Sequence, residues 1–112
     1  MERFETIDIS GDAGIRAFGA SLEEAFVNAA LGMYSLVTDL ERVNEAKTLR
    51  VEVTGDSREG LLVAWLNELI FHLDTYGFIG RRIEVLEFGE HRITADVSGE
   101  EFDTGRHESR LL

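Results

Sequence analysis

The sequence predicts an α+β fold of two helices packed on a mainly antiparallel β-sheet, in the order β-β-α-β-α-β-β. Three observations predict it. Two segments carry apolar residues at helical spacing behind a serine able to cap them. Several shorter segments alternate apolar and polar residues, as half-buried strands do. Clusters of Gly, Asp and Ser separate these segments, and with proline absent every turn must rely on such residues.

Phe4 to Ile9 alternates and reads as a first strand, and Ile15 to Gly19 as a second. Ser10-Gly11-Asp12-Ala13-Gly14 then reads as the turn between them. Ser21-Leu22-Glu23-Glu24 has the form of a capping box. Leu22, Ala25, Phe26, Ala29, Met33, Leu36 and Val37 follow it at helical spacing, and this helix should end near Thr38-Asp39. Leu40 to Lys47 is polar and acidic and reads as a connection. Leu49, Val51 and Val53 alternate with Arg50 and Glu52 as a third strand. After Thr54-Gly55, Asp56 or Ser57 can cap a second helix.

That helix carries the widest apolar stripe, formed by Leu61, Leu62, Trp65, Leu66, Leu69, Ile70 and Leu73. It should form the centre of the core, with Gly77 as its left-handed terminal residue. Ile83 and Val85, then Ile93, Ala95 and Val97, mark two strands joined by a hairpin at Phe88-Gly89-Glu90-His91. Ser98 to Arg110 reads as a polar tail that ends on Leu111-Leu112.

A chain of 112 residues suits one domain spanning 1–112, large enough to fold without a staple. It has no cysteine, which excludes thiol redox chemistry and zinc–thiolate sites. The start, Met1-Glu2-Arg3-Phe4-Glu5, is charged and unlike a signal peptide. No apolar run approaches the roughly 18 residues of a membrane span, so no membrane contact is expected, and the absence of cysteine fits a cytosolic protein. Acidic residues number 22 against 11 basic, a net charge of −11. That balance opposes direct nucleic-acid binding, which runs on Lys and Arg neutralising phosphate. It suits a cation or a basic protein partner.

Asp12 supplies a hard oxygen of the kind that Ca²⁺ or Mg²⁺ prefers, although one carboxylate is too few and others must converge on it. The alternative is an aspartate that caps its own turn. Asp8 reads as a solvated strand-end carboxylate or as a supporting partner of Asp12. Asn67 and Glu68 interrupt the apolar stripe of the second helix, and Glu68 reads as an exposed flank or as a partly buried acid. His72 stands near the end of that helix, where the dipole favours a cation. His91 falls in the hairpin and His107 in the tail, and no two of the three histidines have metal-pair spacing. Asp103, Arg106 and His107 can cap a turn, form an ion pair or face a partner. No phosphate-binding glycine loop and no nucleophile elbow occurs, which disfavours an independent enzyme.

The segment Asp8-Ile9-Ser10-Gly11-Asp12-Ala13-Gly14-Ile15-Arg16-Ala17-Phe18-Gly19, followed by Ser21-Leu22-Glu23-Glu24-Ala25-Phe26-Val27-Asn28-Ala29-Ala30, resembles the opening of the archeases. Their pattern there is D-H-T-A-D-I-G-I-x-A-x-G and a helix with E-E-A-F-x-x-A-A. Trp65-Leu66-Asn67-Glu68-Leu69-Ile70-Phe71 leading into Asp74-Thr75-Tyr76-Gly77 is similar too. So are Gly99-Glu100-Glu101-Phe102-Asp103 and Arg106-His107, which match G-E-x-[FY]-D…R-H. Ile9 departs from the family histidine, and Ser10 and Gly11 from Thr and Ala.

The resemblance implies a small cytoplasmic accessory protein, not an enzyme. It would promote guanylylation and repeated turnover of an RtcB-type RNA-splicing ligase that acts on tRNA. The alternative it implies is a chaperone or modulator of tRNA-modifying methyltransferases. It places a metal ligand on Asp12, with Ca²⁺ as one candidate ion. It also implies a last strand and an acidic terminus beyond Leu112. A chain without that strand would expose a sheet edge through which copies could associate.

Overall fold

The computed structural model describes residues 4–9 and 12–17 as backbone, and residues 19–103, 105 and 107 in full. The order β-β-α-β-α-β-β is observed, with one added 3-10 turn. The chain divides into two compact units, residues 1–42 with 103–112, and residues 43–102.

In the first unit, β1 (Phe4–Ile9) and β2 (Asp12–Ala17) form an antiparallel hairpin, against which α1 (Leu22–Val37) packs. The Ser21 hydroxyl accepts from the Glu24 amide at 3.1 Å and starts α1 as the capping box predicts. Thr38 ends it, its amide donating to the Tyr34 carbonyl at 3.2 Å. The buried residues of α1 include Phe26, Ala29, Ala30, Leu31, Tyr34 and Val37. Leu22 is exposed, and Met33 and Leu36 are half-buried, so the buried surface is centred differently from the expected stripe. The small side chains of Ala29, Ala30 and Gly32 let the helix bury more of its circumference than the bulky residues alone suggest. The expected connection from Leu40 is not wholly irregular, because Leu40–Arg42 forms the 3-10 turn with Leu40 buried.

The second unit is a three-stranded antiparallel sheet in the order β3-β5-β4, with α2 on one face. Here β3 is Lys47–Thr54, α2 is Arg58–Tyr76, β4 is Phe78–Phe88 and β5 is Arg92–Glu101. Ser57, not Asp56, caps α2, its hydroxyl accepting from the Gly60 amide at 3.0 Å. Gly77 ends α2 in the left-handed region at φ 70°, as predicted. Leu61, Trp65, Leu69 and Leu73, spaced four apart, are buried. Leu62 and Leu66 are half-buried and Ile70 is exposed, so the working stripe is narrower than the sequence suggested. Val51, Ile93, Ala95 and Val97 supply the buried positions of β3 and β5.

The alternate positions of the sheet are polar. Thr48 and Ser98 share a hydroxyl hydrogen bond of 2.8 Å, Arg50 pairs with Asp96, Arg92 with Glu52 at 2.6 Å, and Arg82 with Glu45 at 3.0 Å. Two register shifts bend β4, one at Gly80/Arg82 and one at Val85/Glu87.

The expected polar tail from Ser98 is corrected. Strand β5 runs on to Glu101, with Ser98, Gly99 and Glu100 buried. A cross-strand ladder satisfies the backbone there whatever the side chains, which the local polarity concealed.

Candidate functional site

The hairpin register places Ile9 opposite Asp12 and Asp8 opposite Ala13. The five-residue turn expected at Ser10 to Gly14 is therefore corrected. Only positions 10 and 11, which lie outside the described residues, separate the strands. Asp12 is the first residue of β2 and is not a free turn residue. The ladder extends past the glycine at position 14, which pairs with Ile7. Asp8 occupies the next rung and is not the cross-strand partner of Asp12. The side chains of both lie outside the described residues.

The end of α2 gathers several of the candidate residues. Asn67 is exposed, and Glu68 sits on the flank with its side chain 41% accessible. Of the two readings, the partly buried acid is the one observed, and its carboxylate is paired. Its Oε2 lies 3.1 Å from His72 Nε2, one helical turn on. His72 Nδ1 is buried without a hydrogen-bond partner among the described residues. The His72 ring stacks on Tyr76 at 6.0 Å, and Phe71 meets both rings edge-on at 5.4 and 6.3 Å. Phe71 and Tyr76 are each more than half exposed, so the helix presents an aromatic patch to solvent.

The third group is the matched segment at residues 99–107. Glu100 is 8% exposed, and its Oε2 accepts from the Asn44 amide at 2.7 Å. Nothing in its residue type sets Glu100 apart from the other acidic residues, and the signal that marks it is its position within the G-E-x-[FY]-D match. Asp103 caps a tight turn, its Oδ1 accepting from the Gly105 amide at 2.9 Å. The turn closes on itself, because the His107 amide donates to the Asp103 carbonyl at 2.7 Å and the Asp103 amide donates to His107 Nδ1 at 2.8 Å. Since Nδ1 accepts, the neutral ring carries its proton on Nε2. Turn capping is thus among the roles that Asp103 and His107 fill, with His107 4% exposed. Arg106 lies outside the described residues.

His91 Nδ1 meets the Gly55 carbonyl at 3.0 Å across the hairpin end. Thr54, Gly55, Asp56, His91 and Arg92 line an open cleft of about 500 Å³ there. Arg92 is committed to Glu52, whose hydrogen bond and charge hold its guanidinium above the ordinary arginine range. Asp96 acts on Arg50 in the same way.

No group of three His, Asp or Glu side chains able to hold a metal ion occurs among the described residues. No helix among them is long and apolar enough to cross a membrane.

Residues 4–111 match the Archease protein family. Protein archease of Methanothermobacter thermautotrophicus is 41% identical over 114 aligned residues, which take in 98% of this chain and 80% of the relative. A protein archease-like of Caenorhabditis briggsae is 34% identical, over 96% of this chain and 71% of its own. Among solved structures, the solution structure of Methanobacterium thermoautotrophicum protein 1598 superposes with a TM-score of 0.82 at 39% identity, covering 100% of this chain and 81% of that one.

Proposed function

The chain belongs to the archease family, and from that premise we propose that it activates an RtcB-type RNA-splicing ligase by promoting the ligase's guanylylation and repeated turnover. The observation that carries this reading is the family match across residues 4–111, which includes the opening segment around Asp12. The charge of −11 supports it, because an acidic helper gains encounter rate with a basic, RNA-binding enzyme.

In this reading Asp12 is the functional carboxylate, offered at the end of a strand whose backbone is held by the ladder. A hard divalent cation such as Ca²⁺ is the ion its oxygens suit. The protein acts by binding the ligase, and the nucleotidyl transfer belongs to the ligase.

The test is single-turnover and multiple-turnover guanylylation of a purified ligase, with and without this protein. Stimulation is expected, with a loss of about tenfold or more for Asp12→Ala if the carboxylate is used in the activated state. Absence of stimulation by the intact chain refutes the proposal.

The exposed Phe71 and Tyr76 favour a second reading, a chaperone-like modulator of tRNA-modifying methyltransferases that shields apolar surface on a client. Light scattering of a methyltransferase during heating separates the two. Protection that Phe71→Ser abolishes, without ligase stimulation, supports the second.

A further inference from the structure

The sheet order β3-β5-β4 makes β3 and β4 the two edge strands. Natural proteins blunt such edges, because a straight edge is a template for another strand. The β4 edge is blunted by its two register shifts. The β3 edge is not. All eight residues from Lys47 to Thr54 pair with β5 in one unbroken register, and among the described residues no strand lies on the other side.

The direction of the free groups follows from one hydrogen bond. The Gly55 amide donates to the His91 carbonyl at 3.0 Å, on the rung after Thr54–Arg92. Rungs of an antiparallel ladder alternate between hydrogen-bonded and open pairs. Val53, Val51 and Leu49 therefore spend their backbone groups on β5. The same alternation turns the amides and carbonyls of Thr54, Glu52, Arg50 and Thr48 outward.

We infer that β3 is a self-complementary edge that pairs antiparallel with β3 of a second copy, about a two-fold axis at Val51, to form a continuous six-stranded sheet. In that register Arg50 opposes Glu52 of the second copy, twice by symmetry. Thr48 opposes Thr54, and Leu49 opposes Val53. The four outward residues of each strand meet as hydrogen-bonded pairs, giving about eight main-chain hydrogen bonds.

Neighbouring registers fail. A shift by one residue sets outward groups against inward ones. Centring on Arg50 opposes two arginines, and centring on Glu52 opposes two glutamates, both destabilising arrangements. The Val51-centred register also extends pairs already present. Asp96 holds Arg50 and Arg92 holds Glu52 within each copy, so the joined sheet carries an alternating row Asp96–Arg50–Glu52–Arg92 across the seam. The inference does not depend on ligase activation, and its test uses no ligase.

Sedimentation of the full chain over about 1 μM to 1 mM should show a monomer–dimer equilibrium. Arg50→Glu, which sets glutamate against glutamate at both sites, should weaken the dimer about tenfold or more while the far-UV circular dichroism stays unchanged. The chain has no cysteine, so Val51→Cys offers a single thiol. Its Cα atoms would stand about 4.5 Å apart on an open rung, within reach of a disulfide. Mild oxidation should cross-link Val51→Cys and leave Leu86→Cys, on the bulged β4 edge, monomeric. A monomer at every concentration, a dimer indifferent to Arg50→Glu, or no preference for Val51→Cys over Leu86→Cys overturns the inference.

Discussion

Gly99 is the position where a single methyl group should do the most damage. It lies buried in β5, on the rung between Lys47 of β3 and Gly80 of β4. A Cβ built there would stand 1.8 Å from the Ile79 carbonyl oxygen and 3.0 Å from Gly80 Cα. Carbon and oxygen approach no closer than about 3.3 Å even in attractive C–H···O contacts, so β4 would have to retreat by about 1.5 Å. Backbone, not a flexible side-chain tip, is what must move. Overpacking of this kind costs about 1–3 kcal/mol, and the rung hydrogen bonds lost with it about 1 kcal/mol each. Gly99→Ala should therefore destabilise the protein by about 2–5 kcal/mol and lower its Tm by about 10–20 °C. Gly89→Ala is the control, since a Cβ there meets nothing within 4 Å, and it should shift stability by no more than about 1 kcal/mol. Thermal and urea unfolding followed by circular dichroism measure both. A Gly99→Ala protein melting within about 2 °C of the parent would refute the close-approach argument.

Ser57→Ala should cost about 1 kcal/mol in urea unfolding, through the lost cap on the Gly60 amide, while Asp56→Ala stays within about 0.5 kcal/mol. His107→Leu stays close to the volume of the ring but strands the Asp103 amide, and should cost about 1–3 kcal/mol with faster hydrogen exchange at that amide. Unchanged protection at Asp103 would show that the ring does not hold the turn.

The helices were legible because each announces itself twice, once by a serine cap and once by spacing. Ser21 and Gly77 do what they predict. Strand ends were less legible, for a common physical reason. Strand pairing is a main-chain contact with a partner distant in sequence; Arg50 and Asp96 are 46 residues apart. Local polarity at Ser98-Gly99-Glu100 therefore argued for a tail, although the ladder there is complete. The same effect set Asp12 in a turn instead of at the head of β2. Of the candidate site, Asp12 was named from the sequence, and the pairing of Glu68 with His72 and the buried Glu100 were not. Both depend on which way a side chain leaves its element, which composition does not encode.

The order β3-β5-β4 also constrains how the second unit comes together in time. Its central strand is the last of the three to be synthesised. Strand β4 meets β5 through a tight hairpin, a pairing that forms in about microseconds. Strand β3 has no ladder partner until β5 exists, because β4 never touches it in the sheet. On a ribosome, β3 must wait without a ladder partner until residues 92–101 emerge. A nascent chain halted before Arg92 should accordingly show helix without a protected β3, and one carrying β5 should protect both edge strands together.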